Sequence, residues 1–234
     1  MFKHLVIMAA GRSVRMWPLT EYVPKAMALA DNKTLLEINV LKYKPLGFKI
    51  HITVGYKGDI LSPHALSLGV DSLVNTNGKG NSWWIYNSIL SKLDEPIMLL
   101  SCDGLMDIDL KEVEKNYKKF GEPACMIVPV HTKEGFEGDY IHKKDGLIVK
   151  LSRKEKTDIY GSGCQILNPK KIIELTKPAD DFLEVWSELI EKKQLYCSFS
   201  EAKNWYSFDS VEQLKSYRCI KKDLNNTETE ICEN

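Results

Sequence analysis

"MAAGRSVRMWPLTEYVPKAM" occupies Met8 to Met27 and comes directly after a short apolar run, Leu5-Val6-Ile7. The run reads as a buried strand. It leads into a loop rich in positive charge: Arg12, Arg15 and Lys25, with Ala9, Ala10 and Gly11 at its start and prolines at 18 and 24. Small residues let a backbone approach a ligand closely. Arginine offers forked donors to phosphate oxygens, and lysine offers a point charge. In α/β sheets ligands bind beyond the carboxyl ends of the strands, where such a loop lies. As a set these residues read as an anion site, although each alone also fits a solvated surface loop. The loop contains neither the G-x-x-x-x-G-K-[ST] phosphate loop nor the G-x-G-x-x-G dinucleotide fingerprint.

The rest of the chain fits an α/β protein. Short apolar runs at 50–54, 97–101 and 124–130 alternate with helix-like spacings at 35–43, 60–68, 82–93 and 110–120. That alternation predicts βαβ units and a Rossmann-like mixed, mostly parallel sheet flanked by helices. After Val130 the rhythm changes. Two short apolar runs flank Asp145-Gly146, the signature of a tight hairpin. A strand at 164–167 and helices at 170–176, 182–190 and 211–220 complete the pattern, with Asn168-Pro169 a start signal for the first of these helices. No linker divides the chain, so residues 1–224 are expected to form a single domain. The polar stretch 225–234 is expected to be a disordered tail.

Composition limits the function classes. Lys+Arg and Asp+Glu are 32 each, so formal net charge is zero. Broad electrostatic attraction to nucleic acid or to an anionic membrane is not expected, and any anion site must be local. No apolar stretch approaches the ~18 residues of a membrane span. The six cysteines are scattered without zinc-site spacing and are expected to be reduced, mostly buried thiols of a cytoplasmic protein. The oligomeric state is left open.

The opening stretch resembles the signature of the sugar-1-phosphate nucleotidyltransferase family, A-[AG]-G-x-G-[TS]-R-[ML]-x-P-L-T-x-x-x-P-K. Ala10, Gly11, Arg15, Met16, Pro18, Leu19, Thr20, Pro24 and Lys25 match, while Ser13 and Val14 depart from it. "LLSCDG" (99–104) is similar to the family's strand ending in a metal-binding aspartate, and "WYSFDSVEQL" (205–214) to its late segment with a second one. "VGYKGD", "GSGCQILNP" and "NTNGKGNSWWIYNS" extend the likeness over about 1–220. The last of these, with "FDSVEQL", leans toward small cytidylyltransferases of the CTP:phosphocholine type.

The resemblance implies Mg²⁺-dependent transfer of a nucleotidyl group from a nucleoside triphosphate, CTP favoured, to a small phosphorylated acceptor such as phosphocholine. Sugar 1-phosphate acceptors with UTP, dTTP or GTP are the alternative, and a catalytically silent regulatory relative is a third reading. Arg15 and Lys25 would be the catalytic cations. Ala9, Ala10, Gly11, Arg12, Ser13, Asn75, Asn81 and Lys156 would bind nucleotide or acceptor, and Asp103 and Asp209 would hold Mg²⁺. Bland readings stand beside these. Asp103-Gly104 fits a turn, and Asp209 with Glu212 fits a helix cap. Lys154 competes with Lys156, and Asn75 and Asn81 fit a polar turn. Trp83, Trp84, Tyr86 and Trp205 fit the core or a cation-binding face.

Overall fold

The structure, a computed structural model, describes residues 2–220. The expected tail at 225–234 lies outside the described residues. The chain begins with β1 (His4–Met8), α1 (Leu19–Tyr22), β2 (Leu29–Ala30), β3 (Lys33–Thr34), α2 (Leu35–Tyr43), β4 (Lys49–Val54), α3 (Gly58–Ser67) and β5 (Ser72–Asn75). It continues with α4 (Trp83–Asn87), β6 (Ile97–Ser101), β7 (Gly104–Asp107), α5 (Leu110–Lys119) and β8 (Cys125–His131). Then come β9 (Tyr140–Lys144), β10 (Leu147–Ser152), β11 (Ile159–Leu167), α6 (Pro169–Leu175), α7 (Phe182–Glu191), β12 (Leu195–Cys197) and β13 (Lys203–Ser207). A last helix, α8, runs over 211–220.

Nine strands form one sheet in the order β5-β4-β1-β6-β11-β8-β12-β10-β9. The sheet is mixed. β5, β4, β1 and β6 are parallel, whereas β11 runs antiparallel to both β6 and β8. In β1, Leu5 and Ile7 enter the core under α2, α3 and α5, while Val6 enters the core under α4, α6 and α7. Both faces are covered, which is why the strand reads as an unbroken apolar run rather than an alternating one. Each such fully buried side chain is worth about 1.5–3 kcal/mol.

Two local features bear on the sequence reading. The helix expected over 82–93 ends at Asn87, because Ser88 is extended (φ −112°, ψ 171°) and its hydroxyl accepts from Leu90 N. A serine side chain offers the backbone a local alternative to the helical bond. The expected hairpin is present, with Asp145 and Gly146 both at positive φ (52° and 85°), as a two-residue turn between right-twisted strands requires.

The feature that shapes the site left no signal in the sequence. β7 and β13 form a separate two-stranded antiparallel sheet that pairs Gly104 with Ser207 and Leu105 with Tyr206. Phe208 N donates to Asp103 O at 3.1 Å and extends the ladder by one bond. Beneath it lies a small core of Met16, Ala28, Leu35, Leu105, Phe208 and Leu214. The opening loop, the strand after β6 and the last helix thereby share one apolar anchor.

Candidate functional site

The parallel strands β1, β4, β5 and β6 release their loops at one edge of the sheet. Three bonds fix where those loops begin: Cys102 N to Met8 O (3.1 Å), Ala9 N to Thr53 O (3.2 Å) and Thr76 N to Val54 O (2.8 Å). Met16, fully buried, pins the middle of the opening loop. Lys25 sits on a 3₁₀ turn, Lys25–Met27, whose Ala26 is buried in the core. Its aliphatic stem is covered, and only its head meets polar groups.

Those polar groups are the two aspartates singled out in the sequence. Lys25 Nζ donates to Asp103 Oδ2 at 2.5 Å and to Asp209 Oδ1 at 3.1 Å. Arg15 Nη2 donates to the same Asp209 Oδ1 at 2.9 Å. Two carboxylates from distant parts of the sequence therefore meet at one ammonium, which the β7–β13 ladder makes possible by aligning their chain segments. The Lys25 side chain is only 8% exposed. Burial disfavours its charge, but Asp103 and then Asp209 outweigh burial and hold its pKa above that of an ordinary lysine. Burial likewise works against ionised Asp103, yet Lys25 prevails and its pKa is lowered. The neighbouring Cys102 thiol is pushed up to about 12 by burial, so it carries no charge near neutral pH.

The capping alternative for Asp209 is corrected by the geometry. The cap of α8 is Ser210, whose Oγ accepts from Gln213 N at 3.2 Å, while Gln213 Oε1 accepts from Ser210 N at 3.1 Å and Asp209 N at 2.6 Å. This is the reciprocal Ser-x-x-Gln box, set one residue later than the sequence suggested. Asp209 is left to face Lys25 and Arg15.

Two cavities are lined by these groups, and another adjoins both. One, of about 320 Å³, is lined by Ala10, Gly11, Ser13, Lys25 and Asp103, with Trp84 also in its wall. A second, of about 300 Å³, is walled by Asp139, Arg153, Gln165, Asp181, Phe182 and Trp186. Met8 and Asn81 line both. The third, of about 660 Å³, holds Arg15, Arg153, Lys156 and Asp209 and shares Arg153 and Gly138 with the second. The Arg15–Asp209–Lys25–Asp103 chain thus runs from the third cavity into the first. The wall between the first two is held by a close backbone approach at Gly80, where a Cβ would stand 1.9 Å from Asp180 O. Asn81 Oδ1 accepts from Phe182 N at 2.8 Å and ties that segment to the start of α7.

The structure therefore gathers Ala10, Gly11, Ser13, Arg15, Lys25, Asn81, Asp103, Lys156 and Asp209. It does not bring in three others. Ala9 is buried, with its N–H given to Thr53, and lines none of these cavities. Arg12 and Asn75 line a separate cavity of about 720 Å³ with Tyr56 and Lys57. Asn75 is occupied by its own turn, its Oδ1 accepting from Asn77 N at 2.9 Å, so the polar-turn reading holds there. Of the competing lysines, Lys156 rather than Lys154 reaches a cavity wall.

Of the two readings left open for the aromatic residues, core or cation-binding face, core mostly holds. Trp84 is 1% exposed, Trp205 packs against Phe136 and Tyr160, and the Tyr86 hydroxyl bonds Thr176. Trp83 is partly buried against the same core as Trp84, beside Lys79. The residues that line the second cavity, Asp139, Arg153, Gln165, Phe182 and Trp186, were not identified from sequence. They come from β11, α7 and the segments around β9 and β10, and no spacing in the chain links them.

The chain matches the Nucleotidyl transferase family model over residues 4–224. Mannose-1-phosphate guanylyltransferase catalytic subunit beta of Drosophila pseudoobscura pseudoobscura is 24% identical over 204 residues, covering 82% of this chain and 55% of that protein. The chain thus spans little more than half the length of this curated relative. CTP:phosphocholine cytidylyltransferase from Streptococcus pneumoniae superposes with a TM-score of 0.74 at 20% identity, covering 94% of this chain and 99% of the other. A UDP-glucose pyrophosphorylase solved with UDP-glucose gives 0.73 at 18% identity, covering 95% and 99%. The family model covers nearly the whole chain, and the chain belongs to the nucleotidyl transferase family.

Proposed function

We propose that this chain is an Mg²⁺-dependent nucleotidyltransferase that joins the nucleotidyl group of a nucleoside triphosphate, CTP in the first instance, to the phosphate of a small acceptor. The observation that carries the reading is the convergence of Arg15, Lys25, Asp103 and Asp209 between the first and third cavities. A phosphate oxygen of the acceptor forms a bond to the α-phosphorus, the bond from that phosphorus to the bridging oxygen breaks, and pyrophosphate leaves. A phosphomonoester is ionised near neutral pH, so the attacking oxygen needs no strong base. The barrier lies in holding two polyanions together. Lys25, kept charged by its two aspartates, supplies fixed positive charge that needs no rearrangement during the reaction. Arg15 and Lys156 add charge on the side of the third cavity.

Asp103 and Asp209 suit a hard cation. Their oxygens already converge on one ammonium, and Mg²⁺ takes one or two carboxylates together with phosphates and water. When bound there it would neutralise phosphate charge.

The CTP reading rests on the local likeness of "NTNGKGNSWWIYNS" and "FDSVEQL" to small cytidylyltransferases and on the compact match to one of them. A second reading, GTP with mannose 1-phosphate, is favoured by the guanylyltransferase relatives. Pyrophosphate release should be measured with CTP, UTP, GTP and dTTP crossed with phosphocholine, phosphoethanolamine, 2-aminoethylphosphonate, glucose 1-phosphate and mannose 1-phosphate. Metal-dependent release with CTP is the expected result. Preference for GTP would replace the base assignment, and full activity in excess chelator would overturn the metal role.

A further inference from the structure

The second cavity has one feature that the transfer chemistry leaves unused. Gln165, on β11, is 5% exposed and lies in the cavity wall. Its Oε1 accepts two bonds, from Trp186 Nε1 at 3.1 Å and from Cys125 Sγ at 3.1 Å. An indole N–H can only donate, so the amide cannot be turned over without setting donor against donor. Burial raises the Cys125 thiol far above its ordinary range; it stays protonated and remains a donor as well. Among the described residues no hydrogen bond uses the Gln165 Nε2, and that atom is not sealed in the interior. The side chain is therefore locked with its carbonyl toward Trp186 and Cys125 and its NH₂ unpartnered at the cavity.

The two carboxylates in this wall already have partners. Asp139 Oδ1 accepts from Arg153 Nε at 2.9 Å, and Asp181 Oδ1 accepts from Leu183 N at 2.8 Å. A nearly buried amide donor with nothing to donate to is costly, and an occupant that brings an acceptor oxygen removes that cost. A hydroxyl brings one. A trimethylammonium group presents only C–H and cannot accept. Sites built around such a donor discriminate strongly against a ligand that lacks the matching atom.

We propose that the second cavity takes the acceptor, that Gln165 is its specificity-determining donor, its amide held in register by Trp186 and Cys125, and that it selects a phosphorylated acceptor bearing a hydroxyl over one bearing a quaternary ammonium. The proposal rests on the nucleotidyltransferase reading and narrows its acceptor.

The test compares the native protein with Gln165→Met, which keeps length and removes the donor, and Trp186→Phe, which keeps packing and removes the group that orients the amide. Acceptors are glucose 1-phosphate, mannose 1-phosphate, inositol 1-phosphate and phosphocholine, each at saturating nucleotide and Mg²⁺. The native protein should prefer a hydroxylated acceptor. Gln165→Met should raise the KM for it roughly ten- to a hundredfold with a much smaller change in kcat. Trp186→Phe should shift the same KM in the same direction by less. Unchanged nucleotide affinity in both variants serves as the folding control. Native preference for phosphocholine, or an unchanged KM in Gln165→Met, overturns the assignment while leaving nucleotidyl transfer in place. If no pair releases pyrophosphate, the transfer reading fails. Calorimetric titration of the same sugar and inositol phosphates then decides Gln165 separately: weaker binding to Gln165→Met supports its role, and equal binding overturns it.

Discussion

The two ends of the central strands β1 and β4 handle buried titratable groups in opposite ways. At the carboxyl end, the Lys25 ammonium is enclosed with two carboxylates and stays charged. At the other end, His4 Nδ1 and His51 Nε2 lie 2.8 Å apart with their rings stacked, and His51 Nδ1 reaches Ser72 Oγ at 2.7 Å. There burial wins. It lowers the His51 pKa to about 4, with His4 adding to the effect against Asp71, and it lowers that of His4 despite Glu95. Burial disfavours charge at both ends, and the balance between burial and neighbouring charge decides the outcome. Two carboxylates override burial at Lys25, whereas burial prevails at the histidines although Glu95 stands 3.4 Å from His4. One end holds a charge, which the proposed reaction would set against phosphate, and the other is a neutral polar clasp between strands.

The sharpest way to break this contrast is to remove the charge. Lys25→Ala leaves Asp103 and Asp209 without their ammonium, and stripping one partner from a buried ion pair destabilises by about 3 kcal/mol. The proposed transfer should lose two to three powers of ten in kcat, in keeping with loss of one preorganised electrostatic group. Triphosphate binding should weaken much less. Single-turnover kinetics and nucleotide titration separate the two effects, and an unchanged kcat would remove Lys25 from the reaction.

Asp103→Asn and Asp209→Asn keep shape while weakening a site for a hard cation. Each should raise the Mg²⁺ concentration needed for half-maximal activity by about tenfold, the lower end of what single changes around a metal produce. Asp209→Asn should do so with little change in melting temperature, because Ser210 and Gln213 carry the cap. A variant that melts earlier but keeps its Mg²⁺ requirement would return Asp209 to a structural role.

The two ends should also separate by pH. His51 titrates near 6.5 in the unfolded chain and at about 4 in the fold. Between those values the unfolded chain binds a proton that the fold does not, so stability falls as pH drops from about 6.5 to about 4 and then levels off. The full loss amounts to about 3 kcal/mol. The lowered pKa of Asp103 acts in a lower window, where its stabilisation disappears as pH falls below the ordinary carboxylate range. The raised pKa of Lys25 means that its contribution disappears only above the ordinary lysine range. Melting temperature against pH should therefore decline first through the histidine window. Replacing His4 and His51 together with glutamine should flatten that slope and leave pyrophosphate release unaltered. A slope that survives the double replacement would place the proton uptake elsewhere.

The sequence made the site's charges legible but not its cavities. The opening stretch identified Arg15 and Lys25 because a long composite pattern clusters them within a single loop. Asp103 and Asp209 stood out through the likeness of "LLSCDG" and "WYSFDSVEQL" to the family's segments. That Asp103 and Asp209 meet depends on the β7–β13 ladder, whose strands are four and five residues long and whose register no local pattern encodes. Nor could the sequence show that β11 turns antiparallel between β6 and β8, which brings Gln165 under Trp186. A long-range pairing leaves no periodic trace. Arg12 was read as part of the opening loop's cationic set and Asn75 from the family likeness, and the fold places both in a neighbouring cavity.

The smallest expected effect tests how the opening loop bears its departure from the family pattern. Ser13 stands where relatives of this signature carry glycine, and it adopts the left-handed conformation, φ 49° and ψ 50°. A side chain there costs about 1–2 kcal/mol relative to the right-handed basin. Glycine avoids that cost but gives the unfolded chain more freedom, worth roughly 0.5–1 kcal/mol in the opposite direction. The conformation is held from both sides, since Ser13 O accepts from Met16 N at 2.9 Å and from Thr20 Oγ1 at 3.2 Å. Neither bond uses the serine side chain, so Ser13→Gly retains both. Its net change should be a gain of less than about 1 kcal/mol, read from the denaturant midpoint, with kcat within about twofold of native. Ser13→Val, β-branched and ill suited to positive φ, should instead lose stability and raise the KM for nucleotide as the loop shifts beside Lys25. Equal stability in both variants would mean that the loop is not bound to this conformation at Ser13.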